Sequence, residues 1–201
     1  MISIVDYGSG NLRSVYNAFR YIGEDVKVCE SPSDLDRADK IVLPGVGSSK
    51  DAMEGLIAGG YTEKLLKNIA QKKPFLGICL GLQLLFDKSD ESGGCSCLGL
   101  IPGDVKQFSL TKGLKVPQIG WNTVQLTGKD CPIFKGIENG EYFYFVHSFY
   151  CAYKGEYTAA LTPYGVEYTS AFWKDNIFAV QFHPERSQEN GLKLLRNFSK
   201  L

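Results

Sequence analysis

An α/β fold in a single domain, with a mainly parallel central sheet, helices on both faces and antiparallel strands in the C-terminal half, is what this sequence predicts. Three observations point there. Short, mostly apolar runs (Ile2 to Val5, Val26 to Cys29, Ile41 to Leu43 and Pro74 to Ile78) are spaced along the first half, as strands buried on both faces require. Helix-period segments separate them. After residue 120 the pattern changes to strand-like stretches joined by short polar or glycine-containing turns.

The elements follow in order. Ile2 to Val5 ends at Asp6, and a helix starts near Asn11. Its apolar residues Leu12, Val15, Tyr16, Phe19 and Ile22 fall on one face, and Gly23 ends it. Ile41-Val42-Leu43 runs directly into Pro44-Gly45-Val46-Gly47. A helical region follows, is interrupted at Gly59-Gly60 and resumes with Thr62 as N-cap, burying Leu65, Leu66, Ile69 and Ala70. Pro74 to Ile78 is the fourth strand. Val124 to Leu126, Tyr142 to Val146, Thr158 to Leu161, Ser170 to Trp173 and Phe178 to Phe182 read as antiparallel additions. A last helix places Leu194, Leu195, Phe198 and Leu201 together. No repeat or linker divides residues 1–201.

Composition narrows the function. A chain of 201 residues buries roughly 70% of its unfolded surface, so it needs neither disulfide nor metal to hold a core. Twenty-two basic and 22 acidic side chains cancel, which leaves no electrostatic footprint for nucleic acid and no polybasic anchor for a membrane. The N-terminus lacks the basic and long apolar regions of a secretory signal, and no apolar run approaches a membrane span. The expected location is the cytoplasm, with the six cysteines reduced. Cys95 and Cys97 are one residue apart, too close for the usual zinc spacing, and only two histidines exist. Neither metal nor cofactor is expected.

Gly77-Ile78-Cys79-Leu80-Gly81 lies between the fourth strand and the apolar stretch Leu82 to Phe86. This is the thiol form of a nucleophile elbow. A nucleophile on a tight strand-to-helix turn has a strained backbone, and the residues two before and two after it crowd together, so both are glycine. The next N–H, that of Leu80, points where an oxyanion forms, and the following helix terminus favours negative charge at the sulfur. The commoner fate of a cysteine is structural burial, and that is the expectation for Cys29, Cys95, Cys97, Cys131 and Cys151.

Phe182-His183-Pro184-Glu185 follows an apolar strand. Residues two apart on extended chain face the same side, so His183 and Glu185 can meet, and Pro184 stiffens the pair. A carboxylate that orients one imidazole nitrogen leaves the other to act as a base. The bland alternative is a surface turn with an incidental ion pair. His147 has no acid two residues on and reads as core or pocket lining. The Pro44 to Gly47 loop, at the C-terminal end of a strand, is placed to supply a second oxyanion donor from Val46; alone it would read as an ordinary turn. Gly8-Ser9-Gly10 does not extend to a dinucleotide fingerprint, because position 13 is Arg13.

Taken in chain order, these features resemble the class I glutamine amidotransferases, whose glutaminase domains have a flavodoxin-like fold and a Cys-His-Glu triad. Asp6 to Leu12, the Pro44 to Gly47 loop, Cys79 to Phe86, Pro117 to Asn122, Tyr144 to Ser148 and Gln181 to Ser187 are similar to the glutaminase subunits of imidazole glycerol phosphate synthase, in histidine biosynthesis. Gln118 is the one departure. The resemblance implies catalytic Cys79, His183 and Glu185, with Val46 and Leu80 forming the oxyanion hole. It implies that Gly47, Gln83, Ser148 and Phe149 hold glutamine. It also implies a (β/α)8-barrel cyclase partner in a heterodimer, faced by Asn11, Trp121, Asn122 and Arg186. Ammonia free in water is mostly protonated, which favours transfer through protein. Glutaminases of anthranilate, GMP or pyridoxal phosphate synthesis share the triad, and a stand-alone γ-glutamyl cysteine hydrolase or a non-catalytic binding module are the other readings.

Overall fold

The computed structural model describes residues 1–8, 11–109 and 113–201. Strand β1 (Ile2–Ile4) is followed by α1 (Leu12–Tyr21), β2 (Val26–Val28), the single turn α2 (Asp34–Arg37), β3 (Lys40–Leu43), α3 (Ser49–Ala58), α4 (Tyr61–Ala70), β4 (Phe75–Ile78) and the short α5 (Leu80–Gln83). Short strands β5 (Lys88–Ser89), β6 (Cys95–Ser96) and β7 (Asp104–Gln107) precede β8 (Gln118–Thr123) and β9 (Gln125–Leu126). The chain ends with β10 (Tyr142–His147), β11 (Phe149–Cys151), β12 (Thr158–Tyr164), β13 (Val166–Lys174), β14 (Ile177–Val180) and α6 (Gln188–Ser199).

The main sheet runs β2-β1-β3-β4-β14-β13-β12-β9. Its first five strands are mutually parallel, and β13, β12 and β9 are antiparallel additions. The parallel part has the doubly wound order in which ligands sit beyond the carboxyl ends of the strands. One expectation is corrected here. Phe178 to Phe182 was expected as an antiparallel addition, but β14 lies parallel to β4, with Val180 opposite Ile78. It is antiparallel only to β13, and the two are joined by a tight turn through Asp175, at φ 53°. Being inserted between β4 and β13, it joins the two kinds of sheet.

Tyr142 to Val146 is antiparallel as expected, but it pairs with β8 in a separate ribbon. β8 itself carries no clear strand signal. A second small sheet, β11-β7-β5-β6, was likewise not anticipated, because each member is two to four residues long.

Each face of the main sheet has its own core. Val15 and Phe19 of α1 pack with Leu194, Leu195 and Phe198 of α6 on one side. Leu35, Leu56, Leu65 and Ile69, from α2, α3 and α4, cover the other. Thr62 is not the N-cap of α4. Gly60, at φ 70°, reverses the chain and the helix begins at Tyr61, so Thr62 falls within the first turn. The buried face of α4 also differs from expectation: Ala70 is exposed, Leu66 is only partly covered, and Asn68 points inward with its Nδ2 donating to the Lys64 carbonyl at 2.8 Å. Leu201 lies beyond α6 and is exposed.

The elbow glycines are required by close approach. A Cβ on Gly77 would sit 2.7 Å from the Gly81 carbonyl oxygen, and one on Gly81 would overlap the Leu43 carbonyl of β3. Overpacking against backbone is expected to make Gly81→Ala cost about 2 kcal/mol or more. Gly93→Ala meets nothing within 4 Å and is opposed only by its φ of +83°. Urea unfolding should therefore rank Gly81→Ala as the more damaging substitution; equal midpoints would remove the steric account.

Candidate active site

Cys79 occupies φ 55°, ψ −107°, between the last residue of β4 and the first of α5. A non-glycine residue there stores strain, and the surrounding hydrogen bonds hold it. Its N–H donates to the Val180 carbonyl at 2.8 Å, and its own carbonyl accepts from Leu82 and Gln83 at 3.0 and 3.3 Å. The helix expected to follow is a single turn. Its dipole is accordingly small, and the electropositive feature near the sulfur is the first-turn N–H set that includes Leu80.

β14 ends beside Cys79, and three residues later the chain presents His183. The His183 N–H donates to the Tyr144 carbonyl at 2.9 Å, and its carbonyl accepts from Ser187 Oγ at 2.6 Å. His183 and Glu185 do meet, with Nδ1 2.8 Å from Oε1. The reason differs from strand alternation. Only His183 is extended; Pro184–Arg186 form a 3-10 turn that folds the carboxylate back onto the ring. Both side chains are almost wholly buried, at 3% and 0% exposed. Glu185 Oε1 also accepts from Asn11 Nδ2 at 2.9 Å.

The two buried histidines have their pKa values moved in opposite directions. Burial lowers the pKa of both. At His147 it prevails, against a hydrogen bond to the Phe149 carbonyl and with help from the charge of His183, and the value falls to about 4. At His183 the Cys79 sulfur and then Glu185 more than reverse the burial effect, raising it to about 10. Burial thus favours the neutral ring at His147, while the sulfur and the carboxylate favour the protonated ring at His183. His183 Nε2 is buried with no hydrogen-bond partner among the described residues.

A cavity of about 190 Å³ opens above the Cys79 sulfur. Val46, Gly47, Leu80, Gln83, Ser148 and Phe149 line it, together with His147, Val146 and Glu91. The loop from Pro44 is tightly held. Tyr7 Oη donates to the Pro44 carbonyl at 3.0 Å, and a side chain at Gly45 would collide with that hydroxyl and with Leu80. Gly47 has φ +96°. Gly45 is thus a packing glycine, and Gly47 the conformational one.

Sequence reasoning missed two side chains here. Glu91 sits in a serine- and glycine-rich turn and reaches the cavity rim, where its Oε2 accepts from the Ser49 N–H at 2.6 Å; nothing local signals this. Gln181 donates to the Cys79 sulfur, and its place two residues before His183 on the same strand edge was the available clue. Asn11, expected towards a partner, also donates its amide to Glu185. Ser9 and Gly10, from the adjoining glycine-rich segment, lie outside the described residues.

The four residues expected to face a partner separate into two pairs. Trp121 is 46% exposed, packs edge-on against Tyr144 at 6.1 Å, and shares with Tyr144 and Arg186 an open depression of about 440 Å³. Asn11 and Asn122 also have partners within the chain, with Asn122 Nδ2 donating to the Pro163 carbonyl at 2.9 Å. All six cysteines are unpaired, and no helix among the described residues is long and apolar enough to cross a membrane.

The two histidines allow a direct test of the electrostatics. Glu185→Gln removes a charge and a hydrogen bond that both raise the His183 pKa, so its imidazole should titrate below about 10 while His147 stays near 4. NMR titration of the ring protons reads both groups at once. An unmoved His183 would exclude Glu185 as a cause.

Comparison with known proteins gives consistent results. The family model described as glutamine amidotransferase class-I matches residues 3–201. An imidazole glycerol phosphate synthase subunit HisH from Methanothermobacter thermautotrophicus is 52% identical, with 100% of this chain and 98% of the relative covered. HisH 1 from Campylobacter jejuni strain 81-176 is 48% identical over 100% of both chains. Among solved structures, a PurLQS structure from Thermotoga maritima superposes with a TM-score of 0.78 at 22% identity, covering 99% of this chain and 97% of that one.

Proposed function

This chain belongs to the class-I glutamine amidotransferases, in the branch of the HisH subunits of imidazole glycerol phosphate synthase, and on that premise we propose that Cys79, His183 and Glu185 form its glutamine-hydrolysing triad and that the ammonia passes to a cyclase partner. The observation that supports this reading best is the cavity itself. A strained cysteine lies at its base, the residues expected around glutamine line its walls, and a carboxylate-held histidine stands beside the sulfur.

Glutamine enters with its amide towards Cys79. Glu91 at the rim complements the α-ammonium, and Gly47, Gln83, Ser148 and Phe149 surround the rest. His183 takes the Cys79 thiol proton, the sulfur attacks the amide carbon, and the N–H groups of Leu80 and Val46 receive the oxyanion. His183 gives its proton to the departing nitrogen, ammonia leaves, and a glutamyl thioester remains. His183, now neutral, takes a proton from water as the water attacks the thioester; glutamate leaves and the thiol–imidazole pair is restored. Glu185 orients the ring throughout without exchanging its own proton.

The relatives are named as subunits of a synthase, and we read the partner as a (β/α)8-barrel cyclase in a heterodimer. It would use the ammonia to form imidazole glycerol phosphate and an aminoimidazole carboxamide ribonucleotide. Exposed Ile119 and Trp121 on β8, with Arg186 beside them, are the surface best suited to docking, since large apolar side chains stand exposed there.

Two variants test the reading. Cys79→Ala should abolish glutamine-dependent synthesis in the complex while added ammonium salts still support it; retained glutamine hydrolysis would remove Cys79 as nucleophile. Val46→Pro deletes the proposed second oxyanion donor, and glutamine hydrolysis in the complex should fall by about 10²–10³. Complex formation and ammonia-dependent synthesis should persist. Undiminished glutamine hydrolysis in a folded, cyclase-bound Val46→Pro variant would place the second donor elsewhere.

A further inference from the structure

We propose that Gln181 is a further catalytic residue: its side-chain amide is the hydrogen-bond donor to the Cys79 sulfur, and Gln83 holds that amide in the donating orientation. The proposal rests on Cys79 being the nucleophile.

Gln181 follows Val180, the last residue of β14, in the strand that lies parallel to β4. The register that sets Val180 opposite Ile78 brings the next residue of each strand, Gln181 and Cys79, together. The contact is direct, with Gln181 Nε2 3.6 Å from Cys79 Sγ. Gln181 is fully buried, at 0% exposed, so its amide has no access to bulk water.

An amide side chain can be turned end for end, which would put a carbonyl against the sulfur in place of an N–H. Two contacts forbid it. Gln83 Nε2 donates to the Phe149 backbone carbonyl at 2.9 Å and to Gln181 Oε1 at 3.1 Å. A backbone carbonyl can only accept, so Gln83 must present its nitrogen there. Gln181 must then present its oxygen to Gln83 and its nitrogen to Cys79. Reversing either amide sets two acceptors or two donors face to face in a buried site, at the full desolvation penalty of each. The orientation therefore propagates from one carbonyl to the nucleophile.

The sulfur has a second polar neighbour of the opposite kind. Cys79 Sγ lies 4.0 Å from the Val146 carbonyl, which can accept from a thiol but repels a thiolate. Gln181 does the reverse, since N–H donation strengthens as the sulfur gains charge. Of these two groups, Gln181 stabilises the form that attacks.

The same arrangement connects the sulfur to the substrate cavity. Gln83 lines that cavity, and its nitrogen already serves Phe149 and Gln181, so its Oε1 is the part of the amide available to a ligand. A ligand N–H donating to Gln83 Oε1 would polarise Gln83, then Gln181, and strengthen the bond to sulfur.

The test uses the full chain assembled with its cyclase partner. Cys79 alkylation by iodoacetamide is followed by mass spectrometry as a function of pH, beside steady-state glutamine hydrolysis. Gln181→Met keeps length and apolar volume but removes the donor. Cys79 alkylation at neutral pH should slow by about tenfold, as expected for one lost charge-assisted hydrogen bond. The rate–pH curve should move to higher pH, and kcat should fall with little change in KM. Gln83→Met leaves Gln181 in place but frees its orientation, and should slow alkylation while also raising KM; it supplies the same readout should Gln181→Met fail to fold. An alkylation curve for either folded variant that superimposes on the wild type overturns the proposal. Glutamine hydrolysis surviving in Cys79→Ala would instead remove the nucleophile assignment beneath it, so the two failures are distinguishable.

Discussion

Cys79 is held in a backbone conformation that costs a non-glycine residue of order 1–3 kcal/mol, and much of the surrounding structure is what keeps it there. The Val180 carbonyl takes its N–H. Gly81 is pressed against the Leu43 carbonyl so closely that no side chain fits, and Gly77 is pressed against Gly81. The elbow is thus clamped between its two parallel neighbours, β3 and β14. Releasing either would let the turn relax and carry the sulfur away from His183 and from the cavity. The strain can persist because it sits at the centre of the sheet, between two apolar cores, where the neighbours cannot yield.

The carboxyl ends of β3, β4 and β14 bring together parts of the chain that are distant in sequence. The loop after β3 carries Val46 and Gly47, β4 delivers Cys79, and the chain beyond β14 supplies Gln181, His183 and Glu185. From the other side, Ser148 and Phe149 arrive from the junction of β10 and β11. Polar groups buried at this junction are sorted by partner. His147, between a carbonyl and the Tyr168 hydroxyl, has its pKa lowered; His183, between a carboxylate and a sulfur, has its pKa raised. Burial disfavours charge at both, and only one has neighbours that compensate.

The face around Trp121 follows from a different constraint. β8 pairs with β10 alone, in a ribbon outside the main sheet. Its alternate residues Ile119 and Trp121 consequently have no core to enter and remain on the surface. Asn11 stands between the two regions, on the segment expected to meet the partner yet bonded to the carboxylate of Glu185.

By itself the sequence determined the features that depend on neighbours in the chain. The apolar runs and helix periods specified a doubly covered sheet, the paired glycines specified an elbow at Cys79, and the proximity of His183 to Glu185 specified their contact. These are short-range consequences of sterics and periodicity, and reading them requires no knowledge of the fold. What depends on elements distant in sequence could be decided only by tertiary structure. The direction of β14 was misread because a strand carries the same pattern whether its neighbour is parallel or antiparallel. β8 and the short strands gave no signal because pairing, not propensity, makes them strands. Glu91, Asn11 and Gln181 took their places for the same reason. A polar side chain in a buried site is defined by the donor or acceptor opposite it, and here those groups lie on chain segments 42, 174 and 102 residues away.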